Sequence, residues 1–489
     1  MNTVATTHHW LYWLAFLGYS ALVIGMGLVI YFRERHKAPD TRQFWSANAN
    51  LSGWSVGLSI SASMMSISWS CVYGVQLFYW YGTGAAWLLI IPWLLTMAGF
   101  WIFAPRFRRL QAFSQPELLG KRFGLPARQL LAPALIFVFI VWGGAEIYAA
   151  GITIAPFLGV SVETALLLIA LVVAAYSFTG GFEAVVSTDK IQFALVALFI
   201  TIMAIVAVTA AGDADLAAAA LTAPKASPDQ PNFFSPGWVL ILLTLVAYLP
   251  GWLVETDVWI RMQAGRDDRQ ARRGIFLAGF NSFVFVGIMP LLIGLAALAL
   301  YPPDGGTVHP RLADGSLIFS VLMQDFTPAW LSVVLGVGLV AAAMSTVDTC
   351  GNVVALSAAY DLAEPHLQHK WSPHQLQKMA RWASVGAIAL ALLYALFTDS
   401  LWDIFYLSSG ILSTTVFLPV VGAFRKNTRP AQVTRAAVAG FLGTLIAYFL
   451  EAHGPLGQWE PQWLSQTGLG YILVGMGCSI AGFFFPSKN

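Results

Sequence analysis

The residues best able to do chemistry lie in one apolar run, at Ala341 to Asn352, AAAMSTVDTCGN. Read as a helix, the segment puts Ala342, Ser345, Thr349 and Asn352 on one stripe with Thr346 and Asp348 flanking it, because residues three and four apart share a face. Hydroxyls and a carboxylate at bilayer depth are costly, an acid by roughly 2.5 to 3.5 kcal/mol, so they should face protein, water or an ion rather than lipid. Oxygens at this spacing suit a small hard cation, which takes several at short range, and sodium is the expected ion. A second reading stays open, in which Ser345, Thr346 and Thr349 bond back to carbonyls one turn earlier and Asp348 is protonated.

The elements that must position this stripe follow from composition. The chain has 489 residues, of which 58% are hydrophobic and 10% charged, and its mean hydropathy is +0.70. A soluble domain is about a quarter charged, so these values imply an all-α integral membrane protein, built from runs of about 20 apolar residues. The formal net charge of +2 carries no signal for nucleic acid. Cys71, Cys350 and Cys478 fall at depth in odd number, which argues against a disulfide framework and against a thiolate metal site. The first run, Trp10 to Phe32, is too long for a signal-peptide core and lacks a basic stretch before it, so it counts as a span.

About thirteen spans can be drawn, beginning at 10, 52, 84, 128, 161, 183, 238, 274, 329, 379, 402, 432 and 468. With the N-terminus outside and the C-terminus inside, 24 of the 26 Lys and Arg residues fall on the inner side, and only Lys225 and Arg311 fall outside. That asymmetry is the one the positive-inside rule demands, and one span more or fewer in the middle would scramble it. Residues 1–489 thus read as a single transmembrane domain, with no stretch suited to a soluble effector domain. Trp10, Trp13, Trp80, Trp87, Trp101, Trp371 and Trp402 cluster near span ends, as an interfacial belt would.

Two spans are poor continuous helices. Ser55 to Ser70, SVGLSISASMMSISWS, carries seven serines whose hydroxyls compete for backbone groups. VAYLPGWLVETDVW has Pro250 and Gly251 at its centre, where proline removes a donor and clashes with the turn before it. Irregular backbone at membrane depth is tolerated only where it lines a cavity, and paired breaks in two halves of a chain point to a transporter binding site. The breaks fall five spans apart. That spacing predicts two five-span inverted repeats, 52–212 and 238–424, with an extra N-terminal helix in 10–51 and two C-terminal helices in 432–489.

The segment Gly180 to Gln192, GGFEAVVSTDKIQ, resembles the signature of the sodium/solute symporter family, whose bacterial thirteen-span members it matches in plan. Met344, Ser345 and Thr346 match that family's hydroxyl pair in the ninth span, and Trp259, Ile260 and Arg261 match its Arg-ended motif after the seventh. The resemblance implies a LeuT-like five-plus-five fold and alternating access. It also implies a main sodium site made by the carbonyls of Ala62, Met65 and Ala342 with the hydroxyls of Ser345 and Thr346. Some members hold a second cation, and the matching positions here are Asp189, Ser345, Asp348 and Thr349. Asp348 departs from the hydroxyl found there in the family. Two carboxylates would hold a second cation more strongly, or Asp348 and Asp189 would carry a proton instead, while Asp189 also reads as a capping acid in the first turn of its helix.

The solute cavity is expected between the breaks. Ser66, Trp69, Tyr73 and Trp80 would line it from the second span, Trp142, Glu146 and Tyr148 from the fourth, Trp252, Glu255 and Asp257 from the seventh, and Tyr406, Ser408 and Ser409 from the eleventh. Glu146 and Glu255 hint at an amine or a polyol, although Glu255 can bond the broken backbone and Asp257 can pair with Arg261, four residues on. The polar residues of sugar carriers are not reproduced in the seventh span, and Met64 stands where proline carriers have an acid. His366, His369 and His374 share an inner loop without acidic or thiolate partners, so they read as solvated rather than as a metal site.

The expected activity is therefore secondary active transport in the plasma (inner) membrane, coupling sodium influx to uptake of a small organic solute. No enzyme motif is present, and no cofactor beyond sodium as coupling ion is called for. A transporter-shaped solute sensor and a proton-coupled symporter are the alternatives. The partners are solute, sodium and lipid bilayer, with no nucleic acid, and a monomer suffices.

Overall fold

The computed structural model describes residues 9–34, 49–178, 182–230, 232–367 and 370–485. Arg35, Lys37, Arg42, Gly180, Gly181, His369 and Lys488, which entered the argument above, lie outside them. Every named element among the described residues is helical, and pairing of extended backbone is limited to two isolated bridges.

Nine helical runs among the described residues are long and apolar enough to cross a membrane. One of them, Ile67–Arg108, takes in two expected spans, because only the short turn Gly82–Trp87 separates them. The shorter apolar helices Val162–Ser177 and Gly470–Phe484 and the helix Pro373–Ala395 occupy the other expected positions. Polar caps start several of these helices, since the first backbone N–H groups of a helix have no partner within it. Ser161 accepts from Thr164 N, and Ser372 and Gln375 form a reciprocal capping box.

Both serine- and proline-rich runs break. The helix Gly53–Met64 ends at Met65, with φ −82° and ψ 55°. Ser66, extended at ψ 158°, caps the wide turn Ile67–Tyr73 by accepting from Trp69 N at 2.8 Å. In the other run the helix Trp238–Trp252 stops just after Pro250, and Glu255 starts the helix Thr256–Ala264. The backbone at the helices Gly53–Met64 and Thr256–Ala264 is tied together, Leu51 N to the Ala264 carbonyl and Arg266 N to the Leu51 carbonyl, both at 2.9 Å.

Close approach of helices is set by small residues. A Cβ on Gly57 would lie 2.8 Å from the Gly274 carbonyl, and one on Gly274 would lie 2.6 Å from Val56 Cγ1, so Gly53–Met64 and Asp268–Ser282 pack backbone against backbone. The long connections at 213–237 and 302–328 meet over Trp80. Its carbonyl accepts from Lys225 N at 2.8 Å, its ring carries the Lys225 ammonium 3.0 Å from the centroid, and its indole N–H donates to the Asp314 carbonyl at 2.6 Å.

Gly57→Leu should therefore lower the thermal unfolding midpoint of the detergent-purified protein, by the about 1–3 kcal/mol typical of overpacking. Gly386→Ala, at a site with nothing within 4 Å of the new Cβ, should leave it unchanged or raise it. Equal midpoints for Gly57→Leu and the parent would refute the packing argument.

Candidate functional site

At the first break, carbonyls released from the helix Gly53–Met64 meet hydroxyls from the helix Ala329–Ala355. Ser345 Oγ donates to the Ala62 carbonyl at 2.8 Å. Thr346 Oγ1 donates to the Ser63 carbonyl at 3.2 Å and reaches the Ala342 carbonyl, one turn back on its own helix, at 3.5 Å. Ala62, Ala342 and Ser345 are buried, and Met65 closes the broken helix beside them. Four of the five expected oxygens are thus in direct contact as two pairs, Ser345 with Ala62 and Thr346 with Ala342, and each is neutral, as a monovalent ion prefers. Ser63 is an addition. Its serine was visible within the broken run, but nothing in the spacing marked its carbonyl.

The second break is repaired differently. Ser413 Oγ accepts from Gly251 N at 2.9 Å and donates to the Ala247 carbonyl at 2.5 Å. Gly251 and Ala247 are an i, i−4 pair beside Pro250, so a hydroxyl from a distant helix bonds both backbone groups at the kink. Glu255 accepts from Asp257 N and Val258 N, both at 2.9 Å, and so bonds the broken backbone.

The four residues expected to share a second cation do not converge on one point. Asp189 and Thr349 do meet, but the group between them is the guanidinium of Arg261. Its Nη2 lies 3.1 Å from Asp189 Oδ2 and 3.0 Å from Thr349 Oγ1, and its Nε donates to Ser59 Oγ at 2.6 Å. Ser59 in turn bonds Asp189, and Nη1 pairs with Asp257 four residues back. Asp257 also accepts from Ser63 Oγ at 2.8 Å. Arg261, Asp189 and Asp257 are each at most 2% exposed, so these charges are held against one another rather than by water. Asp348 instead accepts from Ser177 Oγ at 2.7 Å, since its side chain leaves the helix about 100° from that of Thr349.

The cavity between the breaks has a volume of about 60 Å³ and is lined by Ser63, Met64, Ser66, Trp69, Trp93, Trp142, Glu146, Trp252, Glu255, Thr346, Phe405 and Ser409. Seven of the thirteen residues expected from sequence to line it do so, Ser66, Trp69, Trp142, Glu146, Trp252, Glu255 and Ser409. Tyr73 does not. It lies a turn beyond Trp69 on the same face, packed against Trp69 at 5.5 Å and Phe405 at 5.0 Å, one aromatic layer behind the wall. Trp80 is under the two long connections, Tyr148 bonds the Asp399 carbonyl, Asp257 is held by Arg261, and Tyr406 stacks on Tyr248. Ser408 accepts from the Trp142 indole at 2.7 Å, behind the cavity wall. Trp93 and Phe405 were missed because an apolar residue on a span carries no sequence mark of facing a cavity rather than lipid. Thr346 belongs both to the carbonyl cluster and to this wall, so an ion and a solute would be neighbours.

His366 bonds Gln129, and no group of three or more His, Cys, Asp and Glu residues is placed to hold a metal among the described residues.

Comparison with known proteins adds to this geometry. The profile of the Sodium:solute symporter family matches residues 44–427. A sodium/glucose cotransporter of Vibrio parahaemolyticus is 26% identical over 479 residues, covering 90% of this chain and 84% of its own. The sodium/sialic acid symporter SiaT of Proteus mirabilis is 24% identical over 463 residues, covering 89% and 88%. In fold, the chain is similar to the substrate-bound outward-open state of a Na⁺-coupled sialic acid symporter, with a TM-score of 0.74 at 18% identity over 97% of this chain and 98% of that one. A profile that spans most of the chain, over a fold shared end to end, decides the assignment: the chain belongs to the sodium:solute symporter family.

Proposed function

We propose that the chain carries a small organic solute into the cell with sodium, by alternating access across the plasma membrane. The observation that carries this reading is the cluster of neutral oxygens at the first break, where Ser345 and Thr346 reach carbonyls of the opened helix and Thr346 also faces the solute cavity. In this reading sodium takes the Ala62, Met65 and Ala342 carbonyls and the two hydroxyls as ligands. Each hydroxyl oxygen then offers its lone pairs to the ion and turns its hydrogen elsewhere. Solute binds one residue away, so filling either site alters the other through Thr346. The thirteen-span, N-outside topology and the repeats 52–212 and 238–424 are part of the same proposal, supported by the charge asymmetry of the chain and by its two breaks.

The position of Arg261 supports a single coupling ion, because a tethered cation already sits between Asp189 and Thr349. One charge crossing 100 mV gains ~2.3 kcal/mol and a tenfold sodium gradient adds ~1.4 kcal/mol, enough for a solute gradient of a few hundredfold. The relatives that match are sodium-coupled symporters, which favours this reading over the sensor and proton-coupled alternatives.

Thermal unfolding in sodium against potassium at matched ionic strength tests the ion site. Sodium at a hundred times its Kd should stabilise the parent by about 2.7 kcal/mol, and Thr346→Ala should lose that increment. Unchanged half-saturation by sodium in Thr346→Ala would sink the assignment. For stoichiometry, uptake into proteoliposomes should rise with sodium without sigmoidicity, at a Hill slope near one. Asp189→Asn should lower stability, by the loss of a buried partner of Arg261, yet leave that slope as it is. A sigmoidal parent curve that Asp189→Asn makes hyperbolic would establish a second ion instead.

A further inference from the structure

The central cavity has a composition that narrows what it can hold. Its walls carry four tryptophans and Phe405, set at steep angles to one another. Trp69 meets Trp252 at 5.4 Å and 81° and Phe405 at 4.7 Å and 77°, and Trp93 meets Trp252 at 5.6 Å and 73°. Three of the indoles have spent their N–H groups on protein, Trp93 on Ser282 at 3.0 Å, Trp142 on Ser408 at 2.7 Å and Trp252 on Ser409 at 3.2 Å. These rings are locked in orientation, and what they offer a ligand is π surface rather than a hydrogen-bond donor.

The ionisable lining is entirely carboxylic. Among the described residues, Glu146 and Glu255 are the only ionisable ones on the wall, and no Lys, Arg, His, Asn or Gln lines it. Ser68 holds Glu146 through its hydroxyl and its backbone N–H, and the backbone of Asp257 and Val258 holds Glu255. Both carboxylates are thereby fixed in direction by neutral donors. The hydroxyls of Ser63 and Thr346 are engaged as donors to Asp257 and to the Ser63 carbonyl.

Resting on the symport reading above, we infer that this cavity takes a small organic ammonium cation. The negative faces of the indoles attract a cation directly, and more strongly once it is desolvated. A methylated ammonium asks for no hydrogen bonds, so the donors that Trp93, Trp142 and Trp252 have spent on protein cost it nothing. A solute carboxylate would face two glutamates with no basic side chain to offset them. A polyol would find few of the paired donors and acceptors that buried hydroxyl groups require. A cavity of about 60 Å³ is suited to a compact head group, and its aromatic wall must part for entry.

The test uses the full-length protein in detergent and in proteoliposomes, with choline as the probe. Its comparison is the uncharged isostere in which a tert-butyl group replaces trimethylammonium, alongside glucose and proline. Choline should raise the unfolding midpoint in sodium and be taken up along a sodium gradient, binding at least ~10-fold more tightly than the isostere. Glu146→Gln and Trp252→Leu should each weaken choline by ~10-fold or more, while keeping the midpoint shift caused by sodium alone, which shows that the variants are folded. Isostere and choline binding equally well would overturn the inference, since charge would then not be read. So would a response to glucose or proline but not to choline, with the sodium shift intact, an outcome that leaves the symport reading standing. Absence of the sodium shift in the parent would bring down the symport reading, and this inference with it.

Discussion

In hydrocarbon a backbone carbonyl released from a helix has no water to turn to, and each one left alone costs several kcal/mol. The two breaks in this chain exist under that constraint, and much of the surrounding architecture answers it. At the first break the answer is a pair of hydroxyls on the helix Ala329–Ala355, which donate to the Ala62 and Ser63 carbonyls. At the second it is Ser413, which bridges Gly251 and Ala247. The repairs differ in what they permit. Ser413 bonds two backbone groups of one helix, whereas Ser345 and Thr346 join two helices that alternating access would separate. A hydroxyl can donate to a carbonyl or accept alongside it, so the same oxygens can be satisfied with an ion or without one.

The charged residues obey a related rule. Arg261, Asp189 and Asp257 are buried together, and Ser59, Ser63 and Thr349 supply hydrogen bonds that the ions alone would leave unmade. The cluster spans the helix Gly53–Met64, the helix Phe182–Ala211, the helix Thr256–Ala264 and the helix Ala329–Ala355. It lies within a turn of the Ala62 carbonyl, through Ser59 and Ser63. A movement of either broken helix must therefore rearrange both the neutral oxygens and the ion pairs. That gives a physical route by which binding at the centre could be felt toward one face of the membrane.

The cavity differs from both clusters in being mainly aromatic. Three of its four tryptophans are held by indole hydrogen bonds to Ser282, Ser408 and Ser409, residues on two other helical segments. Beyond it, Tyr73, Tyr248 and Tyr406 add a second layer, with Tyr248 stacked on Trp252 at 4.3 Å and on Tyr406 at 5.0 Å. Stacked rings of this kind form one side of the cavity as a unit, and Trp402 and Trp80 continue it toward the long connections.

The sequence alone determined the elements, the breaks and the stripe of oxygens, because each depends on short-range rules. Apolar length sets a span, proline and serine loosen a helix, and a period of three to four puts Ser345 and Thr349 on one face. It also carried the alternatives that the geometry selected, Glu255 on broken backbone and Asp257 on Arg261. What only the tertiary structure decided are contacts between residues far apart in the chain. Nothing in the spacing of Asp189, Arg261 and Thr349 told whether an ion or the guanidinium would lie between the other two, and nothing in Trp93 or Phe405 told lipid-facing from cavity-facing. Periodicity fixes which residues share a face of a helix. Which neighbour that face meets is settled by the packing of all the helices at once.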